Sequence, residues 1–127
     1  MHAPITILYG SITALWVGIL GANVSRLRAA KKAFVGDTAD AELNRSVRAH
    51  GNVTEWATIQ ILMLLLLELA GAGSIVLHVV GGAIVVCRFE HGAGILAQSS
   101  ITAVAATLNY LLAIGMPVYA LVLRFIH

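Results

Sequence analysis

Arg45, Arg48, Asn52 and Glu55 stand at i, i+3, i+7 and i+10 in the run RSVRAHGNVTE. On a helix advancing 100° per residue they fall within about 80° of one another, one polar stripe along a single face. The chemistry such a stripe offers is recognition of a small charged molecule. Guanidinium forks match carboxylates bidentately, and a carboxylate takes an ammonium group. Arginine can also snorkel to headgroups from a helix end. Asn52 and Glu55 have no long stem, so an amide and a carboxylate here point to a site. His50 lies inside the same run but points well off the stripe. A second polar group, Arg88-Phe89-Glu90-His91, puts Arg88 and His91 three apart on one face. Standing at the same membrane surface as Arg48, they would close a basic pocket around an anion, with Glu90 as a local charge partner. His50 and His78 read as packing or surface groups.

The elements that must position these residues are membrane spans. In a chain of 127 residues, 59% are apolar and only 11% charged, against roughly 25% charged in soluble domains. A single small domain cannot bury so much apolar surface from water, so lipid must cover it. The stretch Ile5 to Val24 carries no charge and has the ~20 residues a span needs. Pro4 suits a first helical turn, and Ala14, Gly18 and Ala22 form a small-residue stripe that admits a neighbouring helix. No basic n-region precedes it, so it reads as a retained span and not a cleaved signal.

A polar connection, Ser25 to Asn44, follows, then one long helix with a polar entry turn and an apolar body centred on Ile59 to Leu67. Gly71 and Gly73 mark a turn. The third span runs from Ser74 to His91, a break covers Gly92 to Ser100, and Pro117 sits inside the fourth span. The expectation is one domain, residues 1–127, an all-α four-transmembrane-helix bundle of up-down topology with spans near 5–25, 45–70, 74–91 and 101–124. Of eight Lys and Arg, six lie between Arg26 and Arg48 and a seventh is Arg88. The positive-inside rule then makes that side cytoplasmic, with both termini opposite, as expected of a bacterial inner-membrane protein.

Other chemistry is not signalled. The net charge of +2 and the lack of a basic-aromatic strip argue against nucleic acid. No HExxH, CxxC or paired-His spacing suggests a metal, and no serine elbow or phosphate loop is present. The single cysteine, Cys87, reads as a small buried residue. Glu68 and Asn109 read as interhelical hydrogen-bonding groups.

The motif RxxRAHxNxxE entering the second span, with RxxHxxG near the end of the third, resembles the MAPEG family, the membrane-associated proteins in eicosanoid and glutathione metabolism. RLRAAKKAF, Arg26 to Phe34, is similar to the segment closing the first helix in family enzymes. The resemblance covers essentially the whole chain and is nearest to small prokaryotic members. It implies a homotrimer in membrane lipid, with glutathione as ligand and substrate between subunits and a hydrophobic small molecule as second substrate. Arg26, Arg48, Asn52, Glu55 and His91 match the residues lining the family's pocket; Arg45 and Arg88 also fit the pattern. Glu55 would meet the ligand's ammonium and the arginines its carboxylates.

One departure concerns catalysis. Family enzymes carry an arginine at the start of the fourth helix that stabilises the glutathione thiolate, the nucleophilic form. Here AQSSITAVAATL, Ala97 to Leu108, holds no basic residue. Ser99 or Ser100 is left to donate a hydrogen bond, and Ile95 stands near the place of a family tyrosine. The leading expectation is a glutathione-binding protein, whose catalytic form would be a transferase or peroxidase on lipophilic electrophiles. A second is a non-catalytic member that binds lipid or a partner. A small exporter would need a carboxylate in its first span, and Ile5 to Val24 has none.

Overall fold

A computed structural model of the chain describes residues 2–33 and 39–126. Four helices follow in order: α1 (Pro4–Lys31), α2 (Ala41–Leu69), α3 (Ser74–Ala97) and α4 (Ile101–Ile126). All four are long and apolar enough to cross a membrane. The fold is the expected four-helix membrane bundle, though three helix ends differ from the sequence reading: α1 and α3 run on, and α2 starts at Ala41, within the stretch read as connection.

The first correction is at α1. Pro4 opens it with a fixed φ and no amide to satisfy. It does not stop near Ser25 but runs 28 residues, through Arg26 and Arg28, until Lys32 turns left-handed at φ 52°. At 1.5 Å per residue that is about 42 Å, longer than the hydrocarbon core, so its last turns stand at headgroup level. Asp40 caps α2, its carboxylate accepting from the Leu43 amide at 2.8 Å. Lys31 donates to both Asp40 and Glu42 across the connection. The centre of that connection, with Gly36 and Asp37, and the Phe34 end of RLRAAKKAF lie outside the described residues.

The second correction is at α3. Gly92 and Gly94 do not break the helix, which continues to Ala97. Their value is close approach. A Cβ on Gly92 would come 3.0 Å from Val53 Cγ2 and 3.1 Å from Trp16 Nε1, and one on Gly94 would collide with Thr102. The real turn is Gln98, left-handed at φ 55°, followed by Ser99 and Ser100. The α2–α3 turn uses Gly71 at φ 80°, where a side chain would be strained.

The helices alternate in direction. The start of α1 meets the end of α2 where Glu68 bonds Ile5 and Thr6, and its later part meets the start of α2 where Asn23 bonds Ser46. α2 and α3 each pack on every other helix, whereas α1 and α4 do not touch. An apolar core of Leu64, Leu67, Ala72, Leu77, Ile84 and Met116 fills the end of the bundle away from the basic residues. Outward positions such as Ile7, Leu15, Ile75, Leu111, Ile114 and Phe125 are exposed, the apolar surface that lipid covers.

Candidate functional site: a polar groove on the second helix

The interhelical face of α2 follows a ladder of buried positions, Ser46, Ala49, Val53, Ala57, Gln60, Leu64 and Leu67. Arg48, Asn52 and Glu55 fall off that ladder and line the wall of a groove. With Val47 and Gly51 they border a cavity of about 280 Å³ at the basic end of the bundle. Gly51 leaves it open, since a Cβ there would meet nothing within 4 Å. Arg48 and Glu55 are exposed and Asn52 is half-buried. The Asn52 Oδ1 is sealed from solvent and accepts no hydrogen bond. Such an acceptor costs free energy until a donor meets it. No ion pair joins Arg48 to Glu55 among the described residues, so each charge faces the groove unneutralised. Cation, carboxamide and anion on one wall suit a small zwitterion.

His50 faces elsewhere, as the periodicity required. Its Nε2 would lie 3.2 Å from a Cβ placed on Gly21 of α1, so it packs between helices.

The other expected site residues are not brought to this groove within one chain. Arg26 is exposed on α1, donating to Asn23 Oδ1 at 2.9 Å, and Asn23 in turn donates to Ser46 Oγ at 2.8 Å. Arg45 is half-buried one turn before Arg48 and does not line the cavity. Ser99 and Ser100 are exposed in the α3–α4 connection. The Ser99 hydroxyl accepts from the Ile101 amide at 3.3 Å, a cap on α4.

Arg88 requires a further correction. It does not end its helix at the membrane surface beside Arg48. Nine residues of α3 follow it, roughly 13 Å of helix, and its side chain is 1% exposed. Its Nη2 donates to Asn109 Oδ1 of α4 at 2.5 Å and to Cys87 Sγ at 3.2 Å. Gln60 Nε2 of α2 shares the same Asn109 oxygen at 2.9 Å. The guanidinium therefore sits at the level of Gln60, twelve residues or about 18 Å along α2 from Arg48. His91, one turn nearer the basic end, is buried with its Nδ1 unpartnered.

Sequence reasoning passed over Gln60, because Ile59, Ile61 and Leu62 around it read as span centre. The signal was its place on the buried ladder, where an amide must find a partner. Asn109 is the interhelical bonding group expected of it. Cys87 is buried as expected, its thiol donating to Ala105 O at 3.0 Å.

A family model described as "MAPEG family" matches residues 6–122, nearly the whole chain and all four helices. The chain belongs to the MAPEG family. Among curated proteins, the "Inner membrane protein YecN" of Escherichia coli K12 is 31% identical over 87 residues, 68% of this chain. The match spans 66% of that protein's length, just under two thirds. The same protein from Escherichia coli O6:H1 gives identical figures. Together with the four spans, this supports an integral inner-membrane MAPEG protein.

Proposed function

We propose that this MAPEG protein binds glutathione, or a related small thiol, in the groove lined by Arg48, Asn52 and Glu55. The observation that carries the reading is that wall itself. A guanidinium, a sealed amide oxygen lacking a donor and an unneutralised carboxylate stand together beside open space. Glutathione has two carboxylates and an ammonium, so Arg48 would take a carboxylate, Glu55 the ammonium and Asn52 an N–H. Arg26, Arg45 and His91 complete the site when a second copy is apposed. The unit is a homotrimer, an assembly supported by the exposed Ala14, Gly18 and Ala22 stripe on α1. The basic end faces the cytoplasm and the termini the opposite side.

In the catalytic form of the proposal, bound thiolate attacks a lipophilic electrophile delivered from the bilayer. The protein contributes orientation and charge stabilisation, and Ser99 or Ser100 donates to the sulfur in place of the family's arginine. Isothermal titration of the detergent-solubilised protein with glutathione tests binding, and no heat at millimolar ligand overturns it.

One observation favours a second reading. Ala97 to Leu108 contains no cation, and the Ser99 hydroxyl already caps α4. On that reading the protein binds lipid or a partner without turnover. Conjugation of a chlorinated nitrobenzene above the buffer rate separates the two in favour of catalysis.

A further inference from the structure

The groove does not use the opposite end of the bundle, where a carboxylate holds a helix that is not its own. Glu68, in the last turn of α2, accepts from the Ile5 amide at 2.9 Å through Oε1 and from the Thr6 amide at 2.7 Å through Oε2. These are first-turn amides of α1, groups with no partner inside their helix. Both carboxylate oxygens are engaged, and the negative charge sits on the positive end of the α1 dipole. Thr6 is buried there. On the third side, the Tyr9 hydroxyl meets His78 Nδ1 of α3 at 3.1 Å, with Tyr9 pressed against the Cα of Gly81.

The rest of α1 shows why this clamp matters. α1 has no contact with α4. Its polar ties to the bundle include Asn23 to Ser46 and Lys31 to Asp40 and Glu42 near the basic end, Trp16 to the Arg88 carbonyl at mid-length, and Glu68 with the Tyr9–His78 bond at the far end. Between the Trp16 and Glu68 levels, α1 and α2 border an apolar cleft of about 260 Å³, with Gly10 and Thr13 on one wall and Thr58 and Ile61 on the other. Gly10 and Ile61 narrow its far end, where an added Cβ would come 3.3 Å from Ile61 Cγ2. The clamp lies about one turn beyond that narrowing on α1 and about two turns beyond it on α2.

We infer that Glu68 is an acid-released latch: ionised, it pins the first turn of α1 to α2 and keeps the α1–α2 cleft closed at that end. Protonation removes the charge and leaves one strong acceptor oxygen, so the pair of amides is held far more weakly. The ionisable groups facing Glu68 are His78 from α3 and, bonded to it, Tyr9 of α1. His2 precedes α1 and is exposed. The cation of α4 at this end, Arg124, is exposed and forms no ion pair among the described residues.

Spin labels at the exposed pair Leu8→Cys and Leu69→Cys, in lipid nanodiscs, measure the latch directly. The interlabel distance should be short and narrowly distributed at about pH 7, and longer and broader at about pH 3, below the ordinary carboxylate range. With Glu68→Gln added, the long, broad distribution should already be present at about pH 7 and should not respond to acid. A second measurement needs no substitution. After correction for the intrinsic rate, amide-exchange protection of residues 5–10 should fall roughly tenfold on acidification while the α3 segment 82–90 holds steady. A distance unchanged by acid, a Glu68→Gln protein that still switches, or protection lost equally in α3 would each overturn the latch.

Discussion

Arg48, Asn52 and Glu55 on the outer wall of α2, and Gln60, Arg88 and Asn109 between α2, α3 and α4, are built from nearly the same chemical groups. Along α2, Gln60 lies about 7.5 Å beyond Glu55 and about 18 Å beyond Arg48. In the first region Arg48 and Glu55 are exposed beside open space, and no ion pair neutralises either among the described residues. In the second, all three residues are at most 3% exposed, and one amide oxygen draws a guanidinium and a second amide onto itself. The difference is one of helical phase. Gln60 falls on the ladder that faces the other helices, and the stripe falls off it. A guanidinium in a membrane protein is therefore not evidence of a ligand site by itself. The buried cluster is paired at one oxygen only: Arg88 Nε and Nη1 and Gln60 Oε1 have no partner among the described residues.

The largest test of that contrast is Asn109→Leu. It strips the buried guanidinium of its oxygen acceptor and should cost on the order of 3 kcal/mol in reversible unfolding. The double variant Arg88→Met with Asn109→Leu should recover most of that loss, because the stranded charge is gone. Equal destabilisation of single and double variants would remove the distinction drawn here. Next comes Arg48→Ala, which should weaken glutathione at least tenfold by titration while stability stays within about 0.5 kcal/mol. His50→Ala, whose ring packs toward α1, should leave that affinity unchanged. If both substitutions weaken binding alike, the groove is misassigned. Gln60→Leu should cost less than Asn109→Leu, about 1 kcal/mol in unfolding, since it removes a neutral donor and leaves the Arg88–Asn109 bond in place.

The smallest effect concerns the connection that closes the groove's end of the bundle. Asp40 is held below the usual carboxylate range, first by the hydrogen bond from Lys31 and then by the Leu43 amide. A depressed native value stabilises above the unfolded pKa and is lost as the pH falls through the native one. The melting-point gap between the parent protein and Asp40→Asn should therefore be full above about pH 4 and shrink on further acidification. It should also shrink in high salt, because the pair is partly exposed to solvent.

Much of this architecture was legible from sequence. Apolar runs of membrane-spanning length located the four helices, and the 100° advance placed Arg48, Asn52 and Glu55 together while turning His50 away. Helix ends were less legible for a physical reason. Arg26 and Arg28 continue α1 because a helix can leave the hydrocarbon without unwinding. Gly92 and Gly94 look like punctuation yet serve the contacts with Val53, Trp16 and Thr102. That misreading moved Arg88 to the surface. Once α3 runs on to Ala97, the same residue lies inside the bundle. Glu68 was read correctly as an interhelical hydrogen-bonding group, but no periodicity could reveal that its partners are main-chain amides of α1.

The separation of α1 from α4 sets a route for communication across the molecule. Trp16 of α1 donates to the Arg88 carbonyl, and the Arg88 guanidinium donates to Asn109 of α4. A displacement that starts in one outer helix thus has a hydrogen-bonded relay to the other through a single residue, backbone on one side and side chain on the other. Shifting α3 by even a fraction of a turn would break the relay at both ends together.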